Sequence, residues 1–216
     1  MSKYDYIAFD LDGTLTNPEK GLVDGFVYAF RKLGIDYGER ESLRRFIGPP
    51  LYDEWRREYG FNYEEVCHAI DVFREYYNIY GWWDNEIYDG IEKMLTELRD
   101  SGKTLLLATS KPKDTAEKVL ALFGLDKYFT YVAGASNDGT NDIKWKILDR
   151  ALAEVGAKDK SKAILVGDRK YDAEGAAIVG CDSLGVLWGH GTREELEDAG
   201  CTYLFSTPEE VAQFLK

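Results

Sequence analysis

The chain has 216 residues, 44% of them hydrophobic and 31% charged, a balance that supports a buried core and excludes a disordered protein. Its formal charge of −12 argues against a nucleic-acid polymer as partner, which needs a continuous basic surface, so an anionic ligand must meet local positive charge or a metal. No stretch is apolar for long enough to span a bilayer, the opening MSKYDYIAFD lacks the apolar run of a secretory signal, and the cysteines Cys67, Cys181 and Cys201 are unclustered; a cytoplasmic protein with inert thiols, no membrane partner and no disulfide or zinc framework is expected.

At this length one α/β core with a smaller insertion is expected. Residues 6–9 form a short apolar run ending at Asp10, the pattern of a buried parallel strand that delivers its last side chain to the carboxyl edge of a sheet. From about residue 16 to 86 no strand is expected. Helical spacing over 22–33, 43–46 and 66–80 marks a helical insertion, broken at Gly48-Pro49-Pro50, which cannot lie inside a helix. Its aromatics, among them Phe26, Phe30, Trp55 and Phe73, would form a small bundle core, the alternative being a platform for a stacked ligand. Beyond it, Ile91, Met94, Leu95 and Leu98 fall at i, i+3, i+4 and i+7, a helix with one apolar stripe, just before an apolar run at 104–108. Further short apolar runs at 131–133, 163–166 and 183–187 alternate with helical stretches, which predicts a doubly wound parallel sheet.

Chemistry-bearing residues gather at the strand ends. In FDLDGTLTN (9–17), Asp10 and Asp12 stand two residues apart before Gly13, which permits a sharp exit. If strand geometry persists, the two carboxylates share one side and repel unless a cation or proton lies between them. LLLATSKP (105–112) ends a strand with Thr109 and Ser110, then gives Lys111 and a helix opened by Pro112. Hydroxyls, helix-start N–H groups and a cation make a phosphate cradle, although such hydroxyls also serve as helix caps. Lys144, in NDIKWKIL, opens a helix, where a cation opposes the dipole; a misplaced cation implies an acidic partner, with Lys146 as competing candidate. ILVGDRKYDAEGA (164–176) ends a strand in Asp168, a possible metal ligand, and Asp172, four residues on, can orient Lys144 or a metal-bound water. Gly175-Ala176-Ala177 lets that helix pack closely on the sheet. In GVLWGHGTREEL (185–196), Gly189 and Gly191 read as loop geometry and His190 as exposed.

In order and context, these four elements resemble the motifs of the haloacid dehalogenase superfamily, over essentially the whole chain. The resemblance implies a Rossmann-like core of residues 1–15 and 87–216, a helical cap of residues 16–86, and magnesium-dependent hydrolysis of phosphate monoesters through an aspartyl-phosphate. Carried over, Asp10 is the nucleophile and Asp12 the general acid and base. Thr109, or the adjacent Ser110, holds the phosphoryl oxygens beside Lys111. Lys144 neutralises the transferring group, and Asp168 completes the Mg²⁺ shell with Asp10 and the carbonyl of Asp12. The insertion resembles the cap of the phosphoglycolate phosphatase-like branch, and RRFIGPPLYDEW (44–55) its substrate-facing loop, where Arg45, Pro49 and Trp55 either meet the leaving group or shape a turn. A small phosphorylated metabolite of the phosphoglycolate type is the implied substrate. A nucleoside monophosphate, a phosphosugar mutase reaction and a non-catalytic regulator on the same fold are the alternatives. Thr14 argues against the mutase, where Val is common. Monomer and homodimer both remain open.

Overall fold

The computed structural model describes residues 2–136 and 143–216, and the chain divides into two compact units, residues 1–16 with 87–216, and residues 17–86. In chain order the first strand is β1 (Tyr6–Phe9). A two-residue strand follows, β2 (Thr16–Asn17), and then the helices α1 (Glu19–Leu33), α2 (Leu51–Tyr59) and α3 (Tyr63–Tyr76), with a 3₁₀ turn at Arg40–Phe46 and a π turn at Tyr77–Gly81. Next come β3 (Glu86–Ile87), α4 (Ile91–Asp100), β4 (Thr104–Pro112), α5 (Lys113–Leu122) and β5 (Tyr131–Ala135). The remainder is α6 (Lys144–Glu154), β6 (Ala163–Gly167), α7 (Lys170–Val179), β7 (Asp182–Val186), α8 (Arg193–Asp198), β8 (Tyr203–Phe205) and α9 (Pro208–Leu215). Among the described residues no helix is long and apolar enough to cross a membrane.

The larger unit is built on a six-stranded sheet of order β5-β4-β1-β6-β7-β8. All its pairings are parallel, as expected from the strand–helix alternation. β1 lies in the middle with Phe9 in register with Leu107 of β4 and Val166 of β6. The chain thus winds outward from β1 in both directions, and the crevice at the carboxyl ends of β4, β1 and β6 is the switch point where such sheets bind ligands. One sheet face mixes alanines with leucines. Ala8, Leu106, Ala108 and Leu165 pack with Ile147, Leu148 and Ala151 of α6, so α6 sits close enough to place its first residue, Lys144, over the strand ends.

Three differences from the sequence reading have physical causes. β4 continues through Thr109, Ser110 and Lys111 to Pro112, with a register shift between Ala108 and Pro112; Pro112 caps α5 rather than opening it. A residue before proline is driven to extended geometry, which keeps Lys111 in the strand. The sixth strand, β8, is a half-buried edge of three residues, too short for a periodic signal. Gly175 serves a helix rather than the sheet: a Cβ there would lie 2.9 Å from Cγ of Lys144 and 3.2 Å from the backbone nitrogen of Trp145.

The smaller unit has an aromatic core of its own. Trp55 is fully buried, with its ring centroid 4.8 Å from that of Phe30, 5.8 Å from Phe26 and 6.2 Å from Phe73. Of the two readings open for Trp55, a contact with the leaving group or a surface turn, its full burial among these rings departs from both. Residues 51–59 are helical, and the amphipathic period of α2 turns the indole inward. Pro49 is buried as well. Arg45 is exposed, with its guanidinium bound to Glu58 and to the carbonyl of Ser42, each at 2.8 Å, and lying over the Phe46 ring. The helix α3 starts at a reciprocal cap between Asn62 and Glu65, which satisfies two otherwise orphaned N–H groups.

Candidate active site

The carboxyl ends of β1, β4 and β6, together with the start of α6, bring distant residues together. Asp10 follows the last residue of β1 and is held by its N–H to the carbonyl of Val166 at 2.9 Å. Lys144 is buried, and three oxygens surround its ammonium: Asp10 Oδ1 at 2.9 Å, Asp172 Oδ1 at 2.9 Å and the Ala108 carbonyl at 3.1 Å. Burial alone would lower the lysine's pKa, but the Asp10 and Asp172 charges outweigh it and hold the group above its ordinary value. The acidic partner implied by a cation at a helix start is present. The competitor Lys146 is exposed and lies over the Trp145 ring instead.

Asp168, at the end of β6, is fully buried. Its Oδ1 accepts from the Thr14 hydroxyl at 3.3 Å and its Oδ2 from the His190 N–H at 2.8 Å. Gly13 has φ +84°, and a Cβ there would lie 2.2 Å from Asp168 Oδ2, so the turn after Asp12 needs glycine for both conformation and space. Asp172 caps α7 by accepting the Arg169 N–H at 3.1 Å. Asp12 pairs with Lys111, Oδ2 to Nζ at 2.5 Å. Thr109 is buried and its hydroxyl accepts the Lys111 N–H at 3.2 Å, while Ser110 is half-exposed.

Four carboxylates therefore share the crevice with two ammonium groups, an excess of negative charge in a buried place. Asp10, Asp168 and Asp172 each offer an oxygen within 4.8 Å of the others, and Asp12 Oδ1 is buried without a hydrogen-bond partner. An all-oxygen donor set with this charge fits a hard divalent cation such as Mg²⁺ or Ca²⁺, and not zinc.

Burial pushes the Asp168 carboxyl up to about 8, with the Asp172 and Asp10 charges adding to it, and burial likewise raises Asp172 to about 6 against the opposing pull of Lys144. A carboxyl whose folded-state pKa is raised holds its proton better when folded. Its stabilisation is full below the unfolded value of 3.8 and is lost as the pH rises toward about 8. In cation-free buffer, Asp168→Asn is therefore expected to gain stability relative to the native protein between about pH 5 and pH 8, followed by urea denaturation. Parallel pH curves for the two proteins would reject this.

Sequence reasoning missed two contributors. Thr14 reads in the sequence only as a family discriminator, yet its hydroxyl reaches Asp168. His190, expected to be exposed, is half-buried because the chain turns back onto the end of β6; it contributes a backbone N–H, a group that side-chain identity does not announce.

Comparison with known proteins agrees with this architecture. The model of the haloacid dehalogenase-like hydrolases matches residues 7–186. A 5′-nucleotidase of Pseudomonas aeruginosa is 36% identical over 194 residues, covering 90% of this chain and 87% of that protein. The tyrosine-protein kinase PtkA of Mycobacterium tuberculosis is 37% identical over 91% of this chain, which spans 66% of that relative's length. The crystal structure of a predicted phosphatase from Clostridium acetobutylicum superposes with a TM-score of 0.94 at 37% identity, covering 97% of each chain. A parallel α/β hydrolase core with acidic strand ends is the class defined by fold and site. The chain belongs to the haloacid dehalogenase-like hydrolase family.

Proposed function

We propose that the protein is a Mg²⁺-dependent phosphate monoester hydrolase with Asp10 as nucleophile, and that residues 16–86 act as its cap. The observation that carries the reading is the ammonium of Lys144 fixed against Asp10 at 2.9 Å beside the buried Asp168. Asp10, Asp168 and the backbone carbonyl of Asp12 would hold the cation, which when bound neutralises charge on the phosphoryl oxygens.

The protein's own groups supply the rest. A phosphate dianion repels a carboxylate, so the fixed charge of Lys144 lowers the barrier to their approach. An Asp10 oxygen attacks phosphorus, the P–O bond to the leaving group breaks, and Asp12 gives the departing alkoxide its proton. Asp12 then takes a proton from water as that water's oxygen attacks the aspartyl-phosphate, releasing inorganic phosphate and restoring Asp10. Lys111, in contact with Asp12, would orient its carboxyl group, and Thr109, with the half-exposed Ser110, would bind the phosphoryl oxygens.

The substrate is a small phosphorylated metabolite. The name of the Pseudomonas relative puts nucleoside monophosphates first among compounds to test, with phosphoglycolate beside them. The test is release of inorganic phosphate from p-nitrophenyl phosphate and then from these metabolites, with and without Mg²⁺. Isomer formation from a sugar phosphate without phosphate release would favour the mutase alternative, and no turnover of any monoester with Mg²⁺ present would refute the hydrolase reading.

A further inference from the structure

The loop after β7 does more than close the chain. Its indole donates from Trp188 Nε1 to the carbonyl of Thr14 at 3.0 Å, in the same residue whose hydroxyl binds Asp168. Two residues later the His190 N–H binds Asp168 Oδ2. The glycines on either side of His190 admit this approach. A Cβ on Gly189 would lie 2.3 Å from the Gly13 carbonyl and 2.4 Å from Cβ of Asp168, and one on Gly191 would lie 1.9 Å from the Asp168 carbonyl. They are thus glycines because Asp168 occupies the space, a more specific reason than loop geometry.

The next helix grips the other side of the same residue. Oε1 of Glu195 accepts both Nε of Arg169 at 2.8 Å and the backbone N–H of Lys170 at 3.0 Å. Arg169 and Lys170 directly follow Asp168, and the Arg169–Glu195 pair is mostly buried, with side-chain exposures of 12% and 21%, so it is weakly screened. One eight-residue segment therefore bonds the turn before Asp168 in space, the carboxylate itself and the two residues after it in sequence.

We propose that residues 188–195 form a clamp that positions Asp168 as a cation ligand, with Trp188 and Glu195 as its positioning residues. The inference rests on the cation reading above. A carboxylate that must leave water and meet an ion gains most when its plane is fixed in advance, and outer partners of metal ligands work by that orientation. Purely structural contacts would add to stability and leave the ion's affinity unchanged.

The test is binding of Mn²⁺ alone to the full chain, read from the electron paramagnetic resonance signal of the free ion. Trp188→Phe keeps the ring and removes the donor; Glu195→Ala removes the acceptor. Each is expected to weaken Mn²⁺ binding by about 10-fold or more. At saturating Mg²⁺ the KM for p-nitrophenyl phosphate should stay at the native value. Glu195→Gln keeps an accepting oxygen and should restore most of the loss, and the exposed neighbour variant Glu194→Gln should bind like the native protein. The two contacts are independent, so a variant that fails to fold leaves the other to decide. Native affinity in the folded variants overturns the clamp alone. Mn²⁺ binding that survives Asp168→Asn, or is absent from the native protein, overturns the cation reading and the clamp with it.

Discussion

Asp10→Asn is expected to abolish phosphate release, with a loss of at least about 10⁴-fold in kcat, because in the proposed mechanism Asp10 forms the covalent intermediate and has no substitute in the site. The amide is nearly the same size, and the Asp10 N–H to Val166 is a backbone bond that the substitution leaves in place. The variant should therefore fold normally. Loss of the charge leaves Lys144 with Asp172 as its remaining acidic partner and lowers the repulsion on Asp168. A folded Asp10→Asn protein that still releases phosphate at a tenth of the native rate would show that water attacks directly and that no aspartyl-phosphate forms.

The second large effect is on stability. Lys144→Met removes a buried cation and leaves the Asp10 and Asp172 carboxylates facing each other in low dielectric, a loss expected at about 3–5 kcal/mol in chemical denaturation without metal. Asp172→Asn added to Lys144→Met should recover part of it, because the second change removes the charge that the first left unpaired. Lys144→Arg should fail to rescue: a planar fork does not replace a point charge among three oxygens, and the space beside the stem is filled by the α7 backbone at Gly175. If Lys144→Met is within 1 kcal/mol of native by the same measurement, the ion-pair account is wrong.

The core fold was legible because its strands are short apolar runs that end in functional residues, a pattern that burial on both faces imposes. Asp10, Lys144 and Asp168 were legible for a second reason: each breaks a local rule, as a charge at a buried strand end or a cation at a helix start. Asp172, an acid in the first turn of α7, obeys the rule and was legible only by its spacing from Asp168. The structure places all four within one crevice. What was not legible depends on information outside the residue's own neighbourhood. An aromatic such as Trp55 reads the same whether it faces a core or a ligand, and only the helical phase of α2 separates the two. The path of β4 through Thr109 and Ser110 is set by Pro112 and by pairing with β5. The clamp on Asp168 works largely through backbone groups and absent side chains, which carry no pattern at all.

Lys144 carries a consequence for the order of events in the site. An ammonium has three hydrogens, and three oxygens already surround this one. A phosphoryl group that approaches it finds no spare proton, so it must share or displace an existing acceptor. Of the three, the Ala108 carbonyl belongs to a paired strand and Asp172 is pinned to the Arg169 N–H. Asp10 is the member freest to yield, so arrival of a phosphoryl group would loosen the proposed nucleophile at the moment it is needed.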